Sequence, residues 1–173
     1  VLHEFGTKQF AALRVFDRWG ADVAGGRILP KWEMPPPPWL VNNAQLRKHL
    51  ALMEVETPQA LEYPSRGPGR IWGANMVFRR SVFDQIGLFD VELGPVGTQP
   101  VNFADVDMVE RALRNGRKTV YDPELVVYHR IPPERMRMGY FRRWAFVTGR
   151  AEALRGPAAM GRFPVFGRPL WLY

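Results

Sequence analysis

No cysteine occurs among the 173 residues, which excludes disulfides, thiolate metal sites and a cysteine nucleophile and is compatible with a reducing compartment. Nor is there a run of about 18 apolar residues, so no membrane-spanning helix is expected, and the first residues, with Glu4 among them, do not resemble a signal peptide. Acidic residues are the scarcer charge, 17 against 24 Lys and Arg, which leaves a net charge of +7. Such a surplus favours anionic partners such as phosphorylated small molecules, acidic lipid or nucleic acid, without choosing among them.

What is present is enough for one globular unit. The chain is 46% hydrophobic, and its length falls within the usual scale of about 100 to 200 residues per domain. Sixteen Gly and sixteen Pro are scattered between periodic segments, which reads as many loops rather than a low-complexity tail. Arg135, Arg137, Arg142, Arg143, Arg150 and Arg155 gather in one C-terminal segment. The chain is therefore divided into a folded part over 1–133 and a basic, aromatic helix and tail over 134–173.

Apolar residues at Phe10, Leu13 and Val15 or Phe16 predict a helix over Lys8 to Trp19 that stops at Gly20. Asp22 to Leu29 reads as an internal strand in which Gly25-Gly26 marks a bulge or a close backbone approach. Pro35 to Pro38 is a stiff extended run that forbids a central strand, followed by Trp39 and a short helix over Asn43 to Met53. Ile71 to Phe78 is a strand candidate, and Ser81 caps a short helix that ends near Gly87. Pro95, Gly97 and Pro100 describe a connecting loop with the makings of a lid.

The clearest helix is Asn102 to Asn115, capped by Asn102 or Asp105 and ended by Gly116. Lys118 to Tyr121 and Leu125 to His129 read as two short strands around an Asp122-Pro123 turn. Pro132-Pro133 then leads into a helix over Glu134 to Arg155. Helices alternating with short strands predict a layered α/β arrangement.

Three features carry chemistry. Asp105 and Asp107 sit at a helix start, where the helix dipole and unpaired N–H groups attract negative charge and hold a carboxylate in place for proton abstraction. Gly73-Ala74-Asn75 offers a backbone with small side chains beside an amide, which suits close approach to a sugar or its phosphate. His129 ends an apolar strand, where α/β proteins bind ligands, and is able to ligate a metal or a phosphate. Each also fits a structural use, as a cap, a strand bend or a strand-end histidine.

Their order narrows the choice. Trp72 to Arg80 (WGANMVFRR), Ile86 to Asp90 (IGLFD), Ala104-Asp105-Val106-Asp107 opening a helix that ends Arg114-Asn115-Gly116, then Val120 to Pro123 (VYDP) and Val126 to His129 (VVYH) together resemble the C-terminal half of family 2 glycosyltransferases. The resemblance runs from about Asp22 to Arg150. It implies a GT-A fold, a Rossmann-like mixed sheet flanked by helices, and transfer of a sugar from a nucleotide-diphosphate donor to an acceptor hydroxyl with inversion. Asp105 then looks like the general base of the family's Glu-Asp motif. Trp72, Gly73, Ala74 and Asn75, with Asp107, Arg143 and Trp144, look like substrate contacts, and His129 matches a histidine that approaches the metal or diphosphate.

The resemblance further implies a divalent metal, Mg or Mn, and a glycan or lipid-linked acceptor. A cytoplasmic location is expected, with the basic helix offering peripheral contact with the cytoplasmic face of an anionic membrane. Two departures stand out. Ala104 replaces the usual Glu, and the family's N-terminal nucleotide-binding strands with their Asp-x-Asp metal motif, which should precede Val1, are absent, so the chain is expected to be the acceptor-side fragment of a longer enzyme. Tyr140 to Trp144 resembles the Gln-x-x-Arg-Trp motif of processive members only weakly, since Tyr140 replaces the Gln. The rivals are a degenerate transferase serving as a scaffold subunit and a basic nucleic-acid-binding module. Nucleic acid is the weaker expectation, because it accounts for the charge but not for the Asp105 segment.

Overall fold

The computed structural model describes residues 2–57, 59–63, 71–93 and 104–155. They belong to two compact units. The first is drawn from Val1–Lys31, Ala51–Leu93 and Phe103–Arg130, the second from Trp32–Leu50, Gly94–Asn102 and Ile131–Tyr173. The second unit thus joins the C-terminal segment to two earlier ones, whereas the sequence reading divides the chain once, at 133.

The first unit is α/β, built on a four-stranded mixed sheet of order β2-β4-β1-β3. Its strands are β1 (Val23–Trp32), β2 (Leu61–Tyr63), β3 (Met76–Phe78) and β4 (Thr119–Ile131). β1 is internal, as the sequence predicts, and pairs antiparallel with β3 in the register Val23↔Phe78 and Gly25↔Met76. β2 pairs antiparallel with β4 through Leu61↔Tyr121 and Tyr63↔Thr119. At the start of β1 the N–H groups of Asp22 and Val23 both donate to the carbonyl of Lys118, just ahead of β4. Successive residues of β1 face opposite sides, and both sides are covered. Ala24 packs with Val120, Leu125 and the α1 (Leu2–Trp19) residues Val15 and Phe16. Val23 packs with Val82 of α4 (Arg80–Ile86) and with Met108 and Ala112 of α5 (Ala104–Arg114).

Local chemistry explains the element ends. α1 stops at Gly20, whose φ of 59 suits glycine, though the helix begins earlier than its periodicity suggests and Leu13 faces solvent. α5 closes in a Schellman motif: Gly116 (φ 68) donates to the Leu113 carbonyl at 3.0 Å and Arg117 to that of Ala112 at 2.9 Å. Gly87 (φ 79) ends α4 as expected, but its N-cap is Arg79, without a side-chain bond, rather than Ser81. Gly73–Asn75 form a 3₁₀ turn instead of the start of a strand, closed by Asn75 N–H donating to the Trp72 carbonyl at 2.9 Å.

The expected pair of strands around Asp122-Pro123 is one strand, β4. Asp122 supplies the turn chemistry inside the strand, its Oδ1 accepting from Glu124 N at 2.8 Å. Pro123 gives up a ladder donor without ending the strand.

The second unit is helical in its described residues, with α2 (Pro38–Val41), α3 (Ala44–Lys48), a 3₁₀ turn at Pro133–Met136 and α6 (Met138–Arg155). Pro37 keeps the extended polyproline geometry (φ -67, ψ 147), and Pro38 opens α2. Asn43 caps α3, accepting from Leu46 N at 3.0 Å. The helix expected to reach Met53 ends early, because Met53 instead makes an antiparallel bridge to Ile28 of β1. Pro132 and the 3₁₀ turn likewise delay the C-terminal helix to Met138.

Candidate functional site

Two features that lie 32 positions apart in the sequence meet in the first unit. The N–H of Gly73, at the open start of the 3₁₀ turn, donates to Asp105 Oδ2 at 2.9 Å. The other oxygen, Oδ1, accepts from Val106 N at 2.9 Å. Asp105 is therefore not the N-cap. It lies in the first turn of α5, and its carboxylate reaches across to the turn before β3. Asn102, the other cap candidate, lies outside the described residues, as do Pro95, Gly97 and Pro100.

Glycine is required at position 73 by contact. A Cβ there would stand 2.8 Å from Asp105 Oδ2 and 3.2 Å from its Cβ. Gly73 and Ala74 are exposed and Trp72 half-buried, so a half-buried carboxylate is flanked by accessible backbone. A carboxylate has about four acceptor positions. The bonds to Gly73 and Val106 occupy two of them and leave capacity for a hydroxyl.

Asn75, expected as a ligand contact, is 0% exposed. Its Nδ2 donates to the carbonyls of Arg27 in β1 (2.8 Å) and Leu125 in β4 (2.7 Å), while its Oδ1 has no partner among the described residues. Asp107 is held by Arg111, four residues on, at 2.7 Å. The same guanidinium donates to the carbonyls of Ile86 (2.6 Å) and Leu88 (2.8 Å). Arg111 was not legible as a key residue, because its partners lie 23 and 25 positions away beyond a loop.

His129 lies within β4 and is half-buried. Among the described residues no three His, Asp or Glu side chains gather as a metal site.

Arg143 and Trp144 belong to the second unit. Arg143 is exposed on α6, and Trp144 packs against His49 with ring centroids 4.0 Å apart and the planes tilted by 39°. Tyr140 donates to the His49 carbonyl at 3.4 Å, and Trp39 meets Phe141 edge-on at 5.7 Å. Burial, aided by the Lys48 ammonium, lowers the His49 imidazole to about 4, and burial raises the Tyr140 phenol. Among the described residues no helix is long and apolar enough to cross a membrane.

Comparison with known proteins finds no match for this chain among family profiles, curated proteins or solved structures.

Proposed function

We propose that this chain carries the acceptor side of an inverting glycosyltransferase of the GT-A type, with Asp105 as general base. The observation that supports this most is the Asp105 carboxylate held on the Gly73 N–H beside an exposed, small-residue turn. A base at a helix start, anchored to backbone and still able to accept, meets the geometric demand of general-base catalysis.

In the proposed reaction Asp105 takes the proton of an acceptor hydroxyl. The freed oxygen forms a bond to the anomeric carbon of a nucleotide-diphosphate sugar from the side opposite the leaving group. The bond to the diphosphate breaks, its electron pair leaves with the diphosphate, and configuration inverts. Trp72, Gly73 and Ala74 line the approach of the acceptor, a glycan or lipid-linked hydroxyl. His129 is kept as a residue that approaches any Mg or Mn ion, and no step of the proposal is routed through the metal. A cytoplasmic setting fits the proposal.

The test is sugar transfer by the protein that supplies the donor half. Asp105→Asn, folded as judged by circular dichroism, is expected to lose transfer by about 10²–10⁴-fold, and a near wild-type rate overturns the assignment. The absence of any transfer or donor binding, with Asp105→Asn making no difference to a binding partner, would favour the scaffold reading that Ala104 invites.

A further inference from the structure

The buried amide of Asn75 has no exposure through which to touch a substrate, yet it joins three elements. Both of its N–H donors are spent on carbonyls of neighbouring strands, Arg27 of β1 and Leu125 of β4. This orientation is set by chemistry, because the reverse would press Oδ1 against two carbonyl oxygens. The β1–β4 seam is unusually close at this place. A Cβ on Gly26 would collide with the carbonyl oxygens of Leu125 and Asp122, and one on Gly25 would lie 2.8 Å from the Asn75 carbonyl and 2.7 Å from the Ile71 side chain. Pro123 has no N–H to offer to the seam.

The backbone of Asn75 closes the turn that begins at Trp72, and that turn presents the Gly73 N–H to Asp105 at 2.9 Å. The path runs from two strand carbonyls through the Asn75 side chain and the turn to the carboxylate. Its cost is the buried Oδ1, which has no partner among the described residues, a type of penalty that an apolar residue at the same place would avoid.

We infer that Asn75 is the positioning residue of the site: it anchors the Gly73 turn to the sheet and thereby holds the Asp105 carboxylate, rather than contacting sugar or phosphate. The catalytic half of this inference rests on Asp105 being the base. The structural half does not.

Native-state amide hydrogen exchange on this chain separates the two. Asp105→Ala sets the scale for loss of the Gly73 bond. Asn75→Ala is expected to speed exchange at Gly73 by about tenfold or more, while amides in the middle of α5 keep their protection relative to global stability. Val82→Ala, which opens the core on the α4 and α5 side, is expected to leave Gly73 in step with global stability. Unchanged exchange at Gly73 in Asn75→Ala, or an acceleration at Gly73 in Val82→Ala that likewise exceeds its loss of global stability, overturns the inference.

Should Asn75→Ala fail to fold, Asn75→Ser retains one donor and is read in the same way. In the transferase assay, Asn75→Ser is expected to lower kcat with little change in KM for the acceptor. A raised KM with kcat intact would make Asn75 a substrate contact and overturn the positioning role. An active Asp105→Asn would remove the base assignment and leave the exchange result standing.

Discussion

At Gly73 the missing β-carbon is what admits the Asp105 carboxylate, while at Gly26 it is what admits a neighbouring strand. The two substitutions to alanine should therefore behave differently. Gly73→Ala meets the Asp105 side chain along its length, Oδ2 at 2.8 Å and Cβ at 3.2 Å, so it is expected to fold with a loss of about 1–2 kcal/mol and to displace Asp105, lowering transfer. Gly26→Ala meets backbone carbonyls that cannot swing aside, and a loss of about 3 kcal/mol or more is expected, read as a lower urea midpoint. The Gly25-Gly26 approach was legible in the sequence because a strand has few other uses for paired glycines. The burial of Asn75 was not, since Leu125, which it grips, lies 50 positions away.

Elements here are held to one another by a few polar anchors on top of apolar packing. Arg111 ties α5 to the end of α4 through two carbonyls and pairs with Asp107 on its own helix. A planar fork that serves three oxygen acceptors and the Met108 sulfur has no equivalent in an ammonium. Arg111→Ala is expected to cost about 2 kcal/mol or more in chemical denaturation, and Arg111→Lys to recover little of it. The expectation that Asp107 touches the acceptor now has to accommodate this ion pair.

On α6, Phe146 is 70% exposed and Met138 45% exposed, with Arg142 also on the outer side. If this face meets an anionic membrane, as the basic C-terminal segment leads one to expect, the chain sediments with phosphatidylserine vesicles at low salt and releases as salt rises. Arg142→Glu with Phe146→Ser abolishes that binding. Sedimentation unaffected by the double substitution would rule this face out.

For the molecule as a whole, the net charge of +7 favours anionic partners without choosing among them, and part of its response to acid arises in the second unit. His49 titrates near 4 rather than at the ordinary 6.5 because it is partly buried beside Lys48. The unfolded chain therefore binds that proton first as pH falls. The contribution to stability is complete above 6.5 and is lost toward 4, at no more than about 1.4 kcal/mol per pH unit. His49→Phe keeps a ring against Trp144 and cannot be protonated, so its unfolding free energy is expected to show a flatter pH dependence over that window.

The sequence by itself determined the α/β alternation, the glycine that ends each of α1, α4 and α5, and the exclusion of thiol chemistry, because composition, helical period and cap residues act over a few positions. Only the tertiary structure decided that Asp105 takes the Gly73 N–H and that Asn75 turns inward. It also decided that β4 runs unbroken through Pro123. These depend on groups 32 and 50 positions apart and on which backbone donors the sheet leaves unmatched, quantities that exist only once the strands have paired.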